Sequence, residues 1–419
     1  MENRKKYIIC GKFFNGKKQE LQNNIKILIE DEYIIEVGNN IECPVDAEVI
    51  DLSHLTVTPG LIDSHVHFDF VGPNALSTYA ITDSDEMKTL NTVHCAMKSL
   101  EGGFTTVRLI GSAFLGFGAM DAKRAIERGM FPASRLVVAP HALNISGGHW
   151  DFSQYLTTNP YLSEIMERDC AGCGNGVDAC KTMVRKQFKY GADFIKIMAA
   201  GGFGSPNDSP VNPQFDEDEV RAIVDTAKTF NKPVAAHAYT AEAIGKLIEL
   251  GVAEIEHGAL IEPQTVKLME EKGTIFICTM TPYEDVIHDD QEKLAQKSKH
   301  FREKLKQYGS QLIESRKVIV DMIMNSNVLM GYGSDIVAVY NNYDCWVEFK
   351  SWRDNGIPAL RALVAATSDN ANIIQRPDLG SIEAGKIADI AAWSRDIIED
   401  HEALSVCDFV MKEGKVYKR

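Results

Sequence analysis

The sequence of 419 residues predicts an α/β fold: a TIM-like (β/α)8 barrel with a small β-sandwich domain formed from both termini. Three observations predict it. Eight apolar, strand-like runs alternate with amphipathic helical stretches through the middle of the chain, the pattern of a parallel sheet, and a count of eight favours a closed barrel. Short β-rich segments separated by turns occupy both ends. Histidines and acids stand where several of the barrel runs finish, the end at which barrel active sites lie.

Taken in order, residues 1–57 read as short strands and turns. Ile25-Lys26-Ile27-Leu28-Ile29-Glu30 and Tyr33-Ile34-Ile35-Glu36-Val37 are β-rich, and Gly11, Gly16 and Gly38 punctuate them. The pattern changes at Thr58. Barrel strands are predicted at 61–68, 105–110, 136–140, 194–198, 234–239, 254–257, 274–279 and 328–333. Helices are predicted over 85–100, with Leu90, Val93, Met97 and Leu100 on one face, and over 216–230, opened by an acidic cluster suited to a helix N-terminus. Further helices follow at 241–250, 262–272 and, as one long element, 291–324. The tail returns to short strands within 379–393, 409–411 and 415–417. The expected domains are 1–57 joined with 377–419, and a barrel over 58–376. No internal repeat or low-complexity tract interrupts them.

Composition narrows the function. The hydrophobic fraction is 45% and the charged fraction 25%, as in soluble globular proteins. The net charge of −15 disfavours nucleic-acid partners and anionic membrane surfaces. Nine scattered cysteines do not form a disulfide framework, which points to a reducing compartment. The chain begins with a polar stretch, and no window is long and apolar enough to span a bilayer, so a cytoplasmic location is expected.

The chemistry concentrates at strand ends. In Thr58-Pro59-Gly60-Leu61-Ile62-Asp63-Ser64-His65-Val66-His67, the two histidines are two residues apart and share one face of the strand. Two converging imidazoles bind zinc or a similar ion. Alone, this pattern is weak. It gains weight from His237 at the end of the fifth predicted strand, His257 at the end of the sixth and Asp335 after the eighth. Lys196 interrupts the apolar strand Phe194-Ile195-Lys196-Ile197-Met198 and should point inward. A buried ammonium beside metal ions is costly. Its deprotonated amine adds CO2 to give a carbamate, whose two oxygens can bridge two cations about 3.5–4 Å apart.

In these segments, with Gly191-Ala192-Asp193 before Lys196 and the closing 379–390 stretch, the sequence resembles the amidohydrolase superfamily over nearly its whole length. Within it, the chain looks like the imidazolonepropionase-related branch that includes Xaa-Pro dipeptidases (prolidases) and metallo-carboxypeptidases. The resemblance implies a binuclear zinc site. His65, His67 and Asp335 would hold one ion and His237 and His257 the other, with carboxylated Lys196 and a hydroxide between them. It implies a hydrolase of dipeptides or N-acyl amino acids, in which Asp335 accepts the nucleophile's proton and passes it to the leaving amine. Relatives also suggest a homo-oligomer acting on a small molecule.

Three further residues are candidates for substrate contact. His149, in Ser146-Gly147-Gly148-His149, is placed to hydrogen-bond the scissile carbonyl oxygen or its tetrahedral anion. Tyr239 shares the strand face of His237 and is placed to bind a substrate carboxylate, a role that the resemblance to the prolidase branch implies. Arg108 is either a carboxylate anchor or half of a barrel-floor ion pair. The branch often has an Asp after this Arg, whereas here Leu109 follows, so the usual local partner is missing. Cys170, Cys173 and Cys180 invite a zinc-knuckle reading without a second Cys-x-x-Cys to support it, and the loop 201–210 reads as a lid or an ordinary long loop. The competing functions are a mononuclear deaminase or cyclic amidine hydrolase of the same superfamily, disfavoured by Lys196 and by Thr at position 240, and a non-catalytic scaffold.

Overall fold

The computed structural model describes residues 5–69, 82–112, 116–169, 172–337 and 340–419. Strands β1 (Lys5–Phe13), β2 (Gln22–Asn23), β3 (Lys26–Glu30), β4 (Tyr33–Gly38) and β5 (Glu48–Pro59) come from the N-terminal segment. They alternate buried and outward residues, as in β3, where Ile27 and Ile29 are fully buried. After them come β6 (Leu61–Val66), β7 (Phe104–Ser112), β8 (Arg135–Leu143), β9 (Ile195–Met198), β10 (Val234–Thr240), β11 (Glu254–Leu260), β12 (Ile275–Ile277) and β13 (Met330–Gly331). The chain ends with β14 (Ile390–Trp393), β15 (Phe409–Lys412) and β16 (Lys415–Lys418).

Two sheets result. One is mixed and drawn from both termini: β14 lies antiparallel to β5, which runs parallel to β1. Ile8, Phe13, Ile27, Val57, Ile390 and Phe409 fill its core. The other is parallel throughout, in chain order from β6 to β13. Its last strand returns to its first through Ser64 N–H to Tyr332 O (2.9 Å) and Asp335 N–H to His65 O (2.8 Å). Asn370 spans the same seam, donating to Ile62 O (2.7 Å) and Tyr332 O (2.8 Å). The predicted α/β barrel with a terminal β domain is the observed fold.

Helices flank the barrel strands. Asp85–Glu101 buries Val93, Ala96 and Leu100, while the expected face residue Leu90 is exposed, so that face is rotated from the predicted one. The acidic cluster does open a helix: Asp216 caps Glu217–Lys228, and Glu219 accepts the Asp216 N–H in return (2.8 Å). The expected long helix over 291–324 is two helices, Gln291–Gln296 and Lys299–Asn325. Lys297 between them is extended (ψ 155°), and the Ser298 hydroxyl accepts the Phe301 N–H (3.1 Å), which starts the second helix afresh. No helix among the described residues is long and apolar enough to cross a membrane.

A buried ion pair ties the barrel to the terminal sheet. Arg135, on β8, donates to Asp389 (2.9 Å), Glu413 (2.7 Å) and Thr106 Oγ1 (2.7 Å). Removing one partner of such a pair strands the other. Arg135→Met is therefore expected to lower unfolding free energy by roughly 3–5 kcal/mol in a denaturant titration.

Candidate active site

The strand ends of the barrel bring His65, His67, His237, His257, Lys196 and Asp335 into one cavity of about 390 Å3. One nitrogen from each of His65 and His67 and a carboxylate oxygen of Asp335 lie within 4.8 Å of one another. His65 Nε2 stands 3.4 Å and His67 Nε2 3.5 Å from the same Asp335 oxygen. The rings of His237 and His257 are 4.6 Å apart, and that of His257 is 5.0 Å from His65. Close backbone approach makes this possible: a Cβ on Gly333 would stand 2.7 Å from His65 Cβ.

Two backbone positions aim these side chains. A regular strand would send Glu256 and His257 to opposite faces. His257 instead has φ of 72°, so the alternation breaks and both side chains reach His65. Asp335 also sits in the left-handed region, with φ of 46°. Such strain in non-glycine residues costs on the order of 1 kcal/mol each and collects at functional sites.

Each imidazole is held through one ring nitrogen, that of His257 also lying 3.5 Å from Asp335 Oδ2. His65 Nδ1 is 2.6 Å from Glu256 Oε2, and His67 Nδ1 donates to Gly111 O at 3.1 Å. His237 Nε2 donates to Gly201 O at 3.3 Å, and His257 Nδ1 meets Thr279 Oγ1 at 2.8 Å. Carboxylate and carbonyl partners of this kind fix tautomer and ring orientation in metal sites. Burial pushes His67 down to about 3 and holds His237 and His257 well below the ordinary imidazole value, so these rings are neutral and carry lone pairs. Burial also opposes charge on His65, but Asp335 and Glu256 outweigh it and raise its pKa. Asp335 remains ionised: burial raises its pKa, yet His65, His67 and Lys196 bring it below the usual carboxylate value.

Lys196 is 2% exposed, and its Nζ has no hydrogen-bond partner among the described residues. Burial lowers its pKa to about 8 against the attraction of Glu256 and Asp335.

The remaining candidates divide. His149 and Tyr239 line the cavity. His149 stacks on His237 (4.8 Å), and its Nδ1 is 2.7 Å from Ser205 Oγ. The Ser205 hydroxyl donates in turn to Asp208, which also pairs with Lys304 at 2.8 Å. Lys304 holds the Gly202 and Ser205 carbonyls as well, so the loop 201–210 is tied to the helix Lys299–Asn325. Arg108 is not brought into this cavity. Its guanidinium forms a two-pronged pair with Glu254 and stacks over Phe194 at 3.9 Å. The partner absent at Leu109 is thus supplied from β11. Cys173 is disulfide-bonded, although the scattered cysteines pointed to no disulfide framework, and a bonded sulfur offers no thiolate to a zinc knuckle. Cys170 lies outside the described residues, and Cys180 is a buried free thiol.

Sequence reasoning passed over Glu256, Tyr283, Ser205, Asp208, Lys297 and Lys304. Only Glu256 carried a readable signal: it alternates with Glu254 along a strand whose inward face should be apolar or catalytic. The others come from loops and a helix break.

A parallel barrel that gathers four histidines, an aspartate and a lysine at its strand ends defines the amidohydrolase class. The chain matches the Amidohydrolase family over residues 56–417 and belongs to it. Ochratoxinase from Aspergillus niger is 26% identical over 439 residues, covering 98% of this chain and 86% of that protein. Imidazolonepropionase from a Geobacillus species is 23% identical, covering 94% and 90%. The crystal structure of a Xaa-Pro dipeptidase with bound methionine is similar with a TM-score of 0.85 at 31% identity, covering 99% of this chain and all of that one. A prolidase complexed with N-methylphosphonate-L-proline gives a TM-score of 0.85 at 29% identity, with 99% and 100% covered. Family and neighbours together make the chain a hydrolytic enzyme acting on C–N bonds.

The placement of Arg108 gives a test. Arg108→Met should destabilise the fold in denaturant titration by roughly 3 kcal/mol or more, the cost of stranding a buried carboxylate, while leaving KM of the folded fraction unchanged. A raised KM with normal stability would instead put Arg108 in contact with substrate.

Proposed function

We propose that this protein is a binuclear, zinc-dependent hydrolase that cleaves the amide bond of dipeptides or N-acyl amino acids. The observation that carries the reading is Lys196. A buried amine with no hydrogen-bond partner among the described residues, set among four imidazoles and an ionised aspartate, is costly as it stands. As a carbamate formed with CO2, it supplies the anionic oxygens that a pair of cations needs. The donor set therefore fits: His65, His67 and Asp335 for one ion, His237 and His257 for the other, and carboxylated Lys196 between them. Two divalent cations held there would lower the pKa of water and polarise a substrate carbonyl.

The chain's own groups supply the rest. Asp335, ionised at neutral pH, accepts a proton from the attacking water and returns it to the leaving nitrogen. Because the Ser205 hydroxyl donates to Asp208, His149 donates its Nδ1–H to Ser205. The neutral ring then presents Nε2 as an acceptor: burial pushes its pKa down to about 4 against the attraction of Asp208, 3.7 Å from Nδ1, so the protonated form that donates to a carbonyl oxygen is disfavoured in the free site. Tyr283 donates its hydroxyl proton to Tyr239 Oη at 2.8 Å, which leaves the Tyr239 proton for a substrate carboxylate.

Support from relatives is chemical. An Xaa-Pro dipeptidase, a prolidase and an ochratoxinase share the fold, and the first two are the more similar in sequence. A screen of dipeptides and N-acyl amino acids with zinc-loaded protein should reveal turnover that depends on the residue at one defined position. Purified protein should hold about two divalent ions per chain. A reproducible value of one would favour the mononuclear deaminase reading. Lys196→Ala should lose both metal and nearly all turnover, and retained wild-type activity would remove the carbamate from the account. Tyr239→Phe should raise KM for substrates bearing a free carboxylate more than for their amides, and equal effects would leave Tyr239 a packing residue.

A further inference from the structure

The cavity extends from the histidine cluster to the break between the helices Gln291–Gln296 and Lys299–Asn325, where Lys297, Ser298 and Phe301 form part of its wall. Lys297 owes its position to that break. Its extended backbone interrupts the helical path, and its side chain is held against the wall, 12% exposed, with Nζ 5.4 Å over the Phe301 ring. Nζ lies 3.1 Å from Asp285 Oδ2, and Asp285 lines the same cavity.

Basic groups beyond the cavity lining are engaged with other partners. Arg108 is paired with Glu254, Lys304 with Asp208 and two carbonyls, and Arg316 with Glu284. Among the described lining residues, Lys196 and Lys297 are the only lysines or arginines, and Lys196 stands with the histidines. Lys297 is therefore the one full positive charge on the substrate side of the wall among those residues. A neutral tyrosine hydroxyl orients a carboxylate but leaves its charge unbalanced, which an ammonium does not. Asp285 does not depend on Lys297 alone: Lys293 Nζ stands 4.0 Å from its other oxygen. Lys293 stands nearer Asp290, at 3.5 Å, so Asp285 keeps Lys297 as its main partner. An ammonium has three donors, and one can stay on Asp285 while another meets a ligand carboxylate.

We propose that Lys297 is a specificity-determining residue that binds a carboxylate of the substrate, so that the preferred substrates are anionic at the residue released from the amide bond. The carboxylate is either the main-chain one of that residue or an acidic side chain on it. This rests on the amide-hydrolase reading above and adds to it the residue that balances the charge of a substrate carboxylate.

The test uses zinc-loaded wild-type protein and Lys297→Met on two matched pairs, Ala-Leu with Ala-Leu amide and Ala-Glu with Ala-Gln. The variant should raise KM by about 10- to 100-fold for the charged member of a pair, as loss of a charge-assisted hydrogen bond does, with kcat nearly unchanged and the uncharged member within about twofold. A split in the first pair assigns the main-chain carboxylate, and a split confined to the second assigns the side chain. Lys297→Arg should keep the preference, and calorimetric titration with the free amino acids L-glutamate and L-leucine, which hold no amide bond to cleave, should show the same loss of affinity in Lys297→Met. If Lys297→Met changes both members of each pair alike, or only lowers the melting temperature, the inference is overturned while the hydrolase reading stands. If the wild type hydrolyses none of these compounds and no other dipeptide or N-acyl amino acid, that reading fails and this one with it.

Discussion

Everything at the site depends on how the first and last barrel strands meet. β13 has only two residues in ladder pairing, so its own contribution to closure is small. The seam is carried instead by single hydrogen bonds from Ser64 and Asp335, and by two buried polar side chains. Asn370 bridges Ile62 and Tyr332, while the Asp63 carboxylate accepts the N–H groups of His65 (2.9 Å) and Ser334 (3.1 Å). The backbone of His65 is thereby locked to the chain entering Asp335, and the three groups that approach one another most closely, His65, His67 and Asp335, lie at the ends of these two strands. Buried polar groups of this kind specify one arrangement because each alternative would leave them unsatisfied.

Beneath the histidines, the barrel interior is charged rather than apolar. Arg108 pairs with Glu254, and its guanidinium comes within 3.9 Å of Glu256, which holds His65. Opposite charges fix each other's position in a medium where an unpaired one would be severely destabilising. Glu256, drawn down to about 2 by His65, Lys196 and Arg108 in spite of burial, stays anionic and supports the imidazole above it. This column gives the histidine cluster a rigid base, and it accounts for an inner-strand arginine whose guanidinium faces Glu254 rather than the cavity.

The opposite wall is built from non-barrel elements. Phe203, Tyr239, Tyr283 and Tyr308 pack together, and Ser209 meets the Tyr308 hydroxyl at 3.0 Å. Lys304 and Asp208 bind the loop that carries Ser205, and through it His149, to the helix Lys299–Asn325. One helix therefore positions both the loop over the histidines and the break that presents Lys297. Substrate preference and the orientation of His149 are joined in a single structural unit.

The amino-acid sequence by itself was enough to determine the barrel, the terminal β domain and the identity of the six side chains that gather in the cavity. Strand periodicity and the location of polar residues at strand ends are local properties, and a parallel barrel has only one end at which such residues converge. Even so, alternation along β11 would separate Glu256 from His257, and only the left-handed backbone at His257 unites them. The fate of Arg108 likewise turned on Glu254, 146 residues away in the chain. The break at Lys297, the Ser205–Asp208–Lys304 chain and the Tyr283 hydroxyl were decided by tertiary structure alone. They depend on contacts between loops and helices distant in sequence, and no local pattern of hydrophobicity encodes which polar groups will meet there.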